Sequence, residues 1–201
     1  MMKKCCIGLI ALLLLSCHNN NSNQAAVPSN QTDSLRTDTA FFPVTSFIKG
    51  QMLEFDSMPV TPLHLTIINE KTDSEWVKRE QLKSRLADFL KPEIDEKNLF
   101  PYFKETKFND QTINAVTFSY DPIGGLPDTL TLRSWDVYVN PTTGTVTRIY
   151  IVKEIKNNNQ DITQQLTWET GKSATLINII NKPDGSSEIL RQEKYTWNFN
   201  Q

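Results

Sequence analysis

From Tyr102 to the end of the chain, apolar and polar residues alternate with a period of two, and this pattern limits the fold more than any other feature. Alternation over short runs marks half-buried strands. Candidate strands cover residues 102–108, 113–120, 130–139, 145–153, 163–169, 174–181 and 188–199. Turn signals separate them: Asn109-Asp110, the run 122–127, the run 141–144, the run 157–159, Gly171, and Pro183-Asp184-Gly185. Connections this short favour an antiparallel meander, because parallel neighbours need crossovers of a dozen or more residues. Within the third strand Trp135, Val137 and Val139 share one face, while Asp136 and Tyr138 share the other.

The residues before the meander read differently. Ile48, Met52 and Phe55 fall on one face of a short helix over 44–55, ended by Pro59 and Pro62. Alternation over 63–68 suggests a strand. Leu82, Leu86, Phe89 and Leu90 then follow a 3.6-residue period, which predicts a helix over 74–90, capped by Asp73 or Ser74 and stopped by Pro92. The expected class is therefore α+β, with one or two N-terminal helices packed on a curved antiparallel β-sheet, a meander.

The start of the chain carries an address. Lys3 and Lys4 precede an apolar stretch over 5–15, and Ser16-Cys17 follow directly. A charged start, a short apolar core and a small residue before the cleavage point describe an export signal. At 1.5 Å per residue the stretch spans roughly 17 Å as a helix, against the about 30 Å of a bilayer core. It is too short for a permanent span. Leu14-Leu15-Ser16-Cys17 resembles the lipobox of bacterial lipoproteins. That resemblance implies cleavage before Cys17, diacylglyceryl and acyl (palmitate-type) modification of Cys17, and a membrane anchor made of lipid. Two or more acyl chains hold stably, at about 0.8 kcal/mol per buried CH₂.

The expected organisation is a signal peptide over 1–16, a lipidated Cys17 with a flexible tether over 17–40, and one α+β domain over 41–201. The tether is rich in Asn, Ser, Thr and Gln and has almost no large apolar residue, so it cannot offset its ordering entropy. As a coil it would reach about 25–30 Å. Cys5 and Cys6 leave with the signal, so the domain has no cysteine and no disulfide. Lys3 and Lys4 leave too, which takes the 21 basic residues to 19 against 23 acidic ones. A slightly acidic chain of mixed signs, exported from the cytoplasm, argues against nucleic acid as a partner.

Catalytic and metal-binding signals are weak. Gly171-Lys172-Ser173 has the end of a phosphate-binding loop, but Leu166 stands where the first glycine should be, so a turn is the better reading. His64 is the one histidine in the expected domain, with no neighbouring Cys or carboxylate cluster and no G-x-S-x-G turn elsewhere. A structural or surface role is expected for it. Glu93, Asp95 and Glu96 lack calcium-loop spacing and read as a solvated loop. We therefore expect no catalytic residue, no cofactor and no metal.

Binding signals are better. Trp135, Trp168 and Trp197, with Tyr195 and Phe199, lie on expected strands; on the face away from the helices they would form an aromatic platform for a protein or glycan, and core packing explains most of them equally well. Asp33-Ser34-Leu35 and Asp38-Thr39-Ala40 resemble the O-glycosylation acceptor of Bacteroidetes, which makes Ser34 and Thr39 candidate acceptors in the tether. The same three-residue pattern recurs at Asp56-Ser57-Met58 and Asp128-Thr129-Leu130. The hairpin from Val137 to Val146, around Asn140-Pro141-Thr142-Thr143-Gly144, resembles that of PepSY domains, and a helix before a meander resembles cystatin-like domains. As a whole the chain resembles small Bacteroidetes lipoproteins. By analogy with lipoprotein sorting, His18 after the cysteine and the neutral run 19–23 imply an outer-membrane anchor facing the periplasm. The leading expectation is a non-enzymatic envelope binding or structural module. A carrier with an apolar helix–sheet pocket is the alternative, and a carboxylate-based hydrolase comes third.

Overall fold

The structure is a computed structural model and describes residues 40–55, 57, 59–156 and 160–198. Cys17, Ser34 and Thr39 lie outside the described residues, as does Phe199. The order of elements is α1 (Val44–Glu54), β1 (Leu63–Ile68), β2 (Lys71–Trp76), α2 (Arg79–Arg85), a 3-10 turn (Ala87–Leu90), then β3 (Phe103–Asp110), β4 (Ala115–Pro122), β5 (Leu132–Val139), β6 (Val146–Lys156), β7 (Asp161–Glu169), β8 (Ser173–Asn181) and β9 (Ser187–Thr196). All nine strands form one antiparallel sheet in the order β2-β1-β9-β8-β7-β6-β5-β4-β3, which does not close. The class is α+β.

β3 to β9 run as a meander in chain order. The alternation that marked them in the sequence is the alternation of their burial, as in β7, where Gln164, Leu166 and Trp168 are buried and their neighbours are not. Local chemistry sets the turns. Asn140 Oδ1 accepts the backbone N–H groups of Thr142 and Thr143, and Gly144 takes φ +69°, which turns β5 into β6. One pairing is not local: β1 lies against β9, with His64 opposite Tyr195. It adds the β1–β2 hairpin to the far side of the meander.

The expected helix over 74–90 needs correction. Residues 71–76 are a strand, β2, paired with β1 from Leu63↔Trp76 to Ile68↔Lys71. The chain reverses at Asn69 and Glu70, with φ of 48° and 64°, the left-handed pair that a tight hairpin of this kind requires. Asn suits that position and Glu does not, so the turn left no clear mark in the sequence. The helix begins at Arg79, and its N-cap residue Lys78 makes no side-chain cap bond, so neither Asp73 nor Ser74 caps it. After Arg85 the chain departs from helical geometry at Leu86 (φ −100°, ψ 13°) and continues as the 3-10 turn. Leu82, Leu86 and Phe89 are nonetheless all buried.

Register sorts the strand residues between two faces, because directly opposed residues share a face. One row reads His64, Tyr195, Ala174, Trp168, Ile149, Val137. The next reads Glu193, Leu176, Leu166, Ile151, Trp135, Tyr120. Residues of both rows join Val44, Ile48, Met52, Leu82, Leu86 and Phe89 in one buried core. Ring contacts link the parts: Phe55 lies 4.6 Å from Trp197, Phe89 5.4 Å from Trp168, and Phe41 5.1 Å from Tyr120. The opposite face carries the row Phe108, Thr117, Tyr138, Arg148, Glu169, Ser173. Beside it runs the row Leu65, Lys194, Thr175, Thr167, Tyr150, Asp136.

Candidate functional site

Three places gather polar chemistry. The first is built around His64, which is 4% exposed. Its Nδ1 lies 3.2 Å from Glu75 Oε1 and 3.2 Å from Arg85 Nη1, and its Nε2 lies 3.0 Å from Glu193 Oε1 and 3.1 Å from Thr66 Oγ1. Arginine can only donate and a carboxylate can only accept, so Nδ1 stands between a donor, Arg85, and an acceptor, Glu75, while Nε2 faces the Glu193 carboxylate. Arg85 also donates to Glu75 at 2.5 Å, and Arg191 donates to Glu193 at 2.9 Å. The imidazole stacks flat on Tyr195, with centroids 4.2 Å apart and planes 3° from parallel.

Electrostatics follow this geometry. Arg85, and after it His64, hold the Glu75 carboxyl below the usual carboxylate range. Glu75 in turn raises Arg85. Burial, then the charge of Glu193, pushes the Tyr195 phenol up to about 12. Every polar edge of the imidazole already has a partner, whereas a general base must be within reach of a substrate proton. The cluster joins β1, β2, β9 and α2, so its chemistry is that of a clasp. The expectation that His64 lacks carboxylate neighbours is overturned. Glu75 and Glu193 are both within hydrogen-bond distance, but they arrive from distant parts of the chain.

A second cluster lies on the same face. Lys153 is 5% exposed and donates to the backbone carbonyl of Asp88 in the 3-10 turn. Gln164, opposite it on β7, donates to Asp88 Oδ2 at 3.0 Å and to Asn178 Oδ1 at 3.2 Å. Burial lowers the Lys153 amine to about 8, and the Asp88 charge offsets only part of that. Both side chains fasten the 3-10 turn to the strands.

The third place is on the opposite face, where a cavity of about 470 Å³ is lined by Ile113, Tyr138, Thr147, Arg148, Glu169 and Lys172, among others. The Arg148 guanidinium sits 4.0 Å from the centre of the Tyr138 ring. Burial raises the phenols of Tyr138 and Tyr150, and in both the Asp136 charge adds to it. This face is half-buried, with Tyr138, Arg148, Tyr150, Thr167 and Thr175 all partly exposed.

The expected tryptophan platform is corrected by these faces. Trp135 and Trp168 are fully buried and Trp197 is 1% exposed, and all three are core residues. Their indole N–H groups have no hydrogen-bond partner among the described residues. Indoles bury about 150–250 Å² each, so the covered face of the sheet takes them. Tyr195 is buried with them.

The remaining sequence candidates behave as loop residues. Gly171 has φ +70° in the turn from β7 to β8. Asp95 Oδ1 accepts the N–H groups of Lys97 and Asn98, and Glu93 pairs with Lys49 at 3.4 Å. Among the described residues no group of three or more His, Cys, Asp or Glu is placed to hold a metal. No described helix is long and apolar enough to cross a membrane. Comparison with known proteins returned no matching family model, no similar curated protein and no similar solved structure.

Proposed function

We propose that the chain is a lipid-anchored lipoprotein of the bacterial envelope, held through Cys17 on the outer membrane and facing the periplasm. Its domain is a non-enzymatic module that binds another envelope component, protein or glycan. The N-terminal helices serve as the cover of one face of a curved sheet and leave the other face for the partner. Supporting this is one observation above others: the face opposite the core carries partly exposed tyrosines, Arg148 and a row of hydroxyl side chains. Tyr and Arg are the residue types enriched where partners bind. The carrier alternative draws less support, because the rings of Phe55, Phe89, Trp168 and Trp197 meet at 4.6–6.1 Å where an apolar ligand would lie.

The test is recovery of partners from solubilised membranes with the lipidated protein, either unaltered or carrying Tyr150→Asp. The component recovered with the unaltered chain should be lost with the variant. Equal recovery by both would remove the open face from the account.

A further inference from the structure

We propose that the cavity at the Tyr138–Arg148 end of the open face is a saccharide site, shaped for one or two uncharged sugar rings. This rests on the reading of that face as the binding surface. Three hairpins build the site, β3–β4 supplying Ile113 and Ala115, β5–β6 supplying Tyr138, Thr147 and Arg148, and β7–β8 supplying Glu169 and Lys172. Register places Tyr138, Arg148 and Glu169 side by side on three successive strands.

Each neighbour fixes the next. The Tyr138 ring supports the Arg148 guanidinium at 4.0 Å. Among the described residues no carboxylate lies within ion-pair distance of Arg148. Its fork of donors is therefore not neutralised by a pair. Beside it, Glu169 Oε2 accepts from Ser173 Oγ at 2.7 Å, which orients the carboxylate. A planar set of donors thus stands next to an oriented acceptor. Adjacent sugar hydroxyls, each both donor and acceptor, match that pair of groups.

Charge narrows the class. An anion would meet Glu169, with Asp136 in the adjoining row, and a cation would meet Arg148 and Lys172. An uncharged polyol meets neither penalty. Ile113 and Ala115 give the cavity an apolar wall for the C–H face of a ring. A volume of about 470 Å³ is within the range of small-molecule sites.

Calorimetric titration of the full chain, in zwitterionic micelles free of sugar headgroups, tests the assignment. The probes are maltose and N,N′-diacetylchitobiose, with inorganic phosphate as the charged control. At least one disaccharide should bind saturably at millimolar concentration. Its affinity should fall about tenfold or more in Arg148→Met, which keeps the stem, and in Glu169→Gln. Unchanged melting midpoints would show that both variants are folded; a variant that melts early is replaced by Tyr138→Leu, for which the same loss is expected. Binding of neither disaccharide, or equal binding of phosphate, overturns the proposal. If the disaccharides fail while Tyr150→Asp still loses its membrane partner, the saccharide assignment falls and the binding-module reading stands.

Discussion

His64 on β1 lies flat against Tyr195 on β9, and with that contact the first hairpin of the domain is joined to its last strand. The pairing brings a buried imidazole between Glu75 and Glu193, each within hydrogen-bond distance of one ring nitrogen. Replacing His64 by Ala removes the stack and leaves Glu193, which is mostly buried, without its contact to the ring. Breaking a buried, hydrogen-bonded charge cluster from one side typically costs about 3–5 kcal/mol, and Arg191 moderates this by keeping its own bond to Glu193. We expect His64→Ala to cost about 2–3 kcal/mol. Urea unfolding of residues 40–201, which form one compact unit, measures it. A midpoint unchanged from the parent would show that the clasp contributes nothing.

Leu86 tests the helical side of the core. It is fully buried where α2 gives way to the 3-10 turn. Truncation to Ala should destabilise by about 2–5 kcal/mol, a large part of the 5–15 kcal/mol typical of a domain. Thermal melting decides it, and an unchanged midpoint would mean that this segment is not docked.

Lys153 makes stability depend on pH in an unusual direction. Its amine is lowered to about 8 in the folded chain, chiefly by burial, from an ordinary value of 10.5. Between those values the unfolded chain holds the extra proton, so stability rises with pH. The charged lysine is a full penalty below about pH 8, of roughly 3 kcal/mol by the size of the shift. Tyr195 acts with the opposite sign higher up. Its folded value of about 12 against an ordinary 10 means that the unfolded chain loses its proton first, so stability falls above pH 10. Denaturant unfolding from pH 7 to 11 should show a maximum near pH 10. In Lys153→Met the rise before the maximum should disappear, and a rise that persists would assign it to another group.

Sequence alternation identified β1 and β3 to β9 because a half-covered sheet must alternate. It did not tell which face is covered, so the three tryptophans could be read either as core or as a surface platform, and their burial settles it as core. β2 was missed because its turn uses Glu70 at a left-handed position, where Gly or Asn would have signalled a hairpin. The His64 cluster had one faint mark, since His64 and Thr66 share a face of β1 as Glu193 and Tyr195 share a face of β9. Pairing these strands requires the non-local register, which no local pattern encodes. Tyr138, Arg148 and Glu169 belong to three strands and are neighbours through register alone, so the cavity they line left no motif to find.

The proposed lipid anchor at Cys17 would set the compartment in which the open face meets a partner. Leu14-Leu15-Ser16-Cys17 follows an apolar stretch too short to span a bilayer. Replacement of Cys17 by Ala should leave the precursor uncut or release it from the membrane fraction. Mass spectrometry of the mature N-terminus is the direct measurement. The result expected is a chain beginning at Cys17 and carrying diacylglyceryl and acyl groups. A mature chain with an unmodified terminus at any other residue would contradict the account.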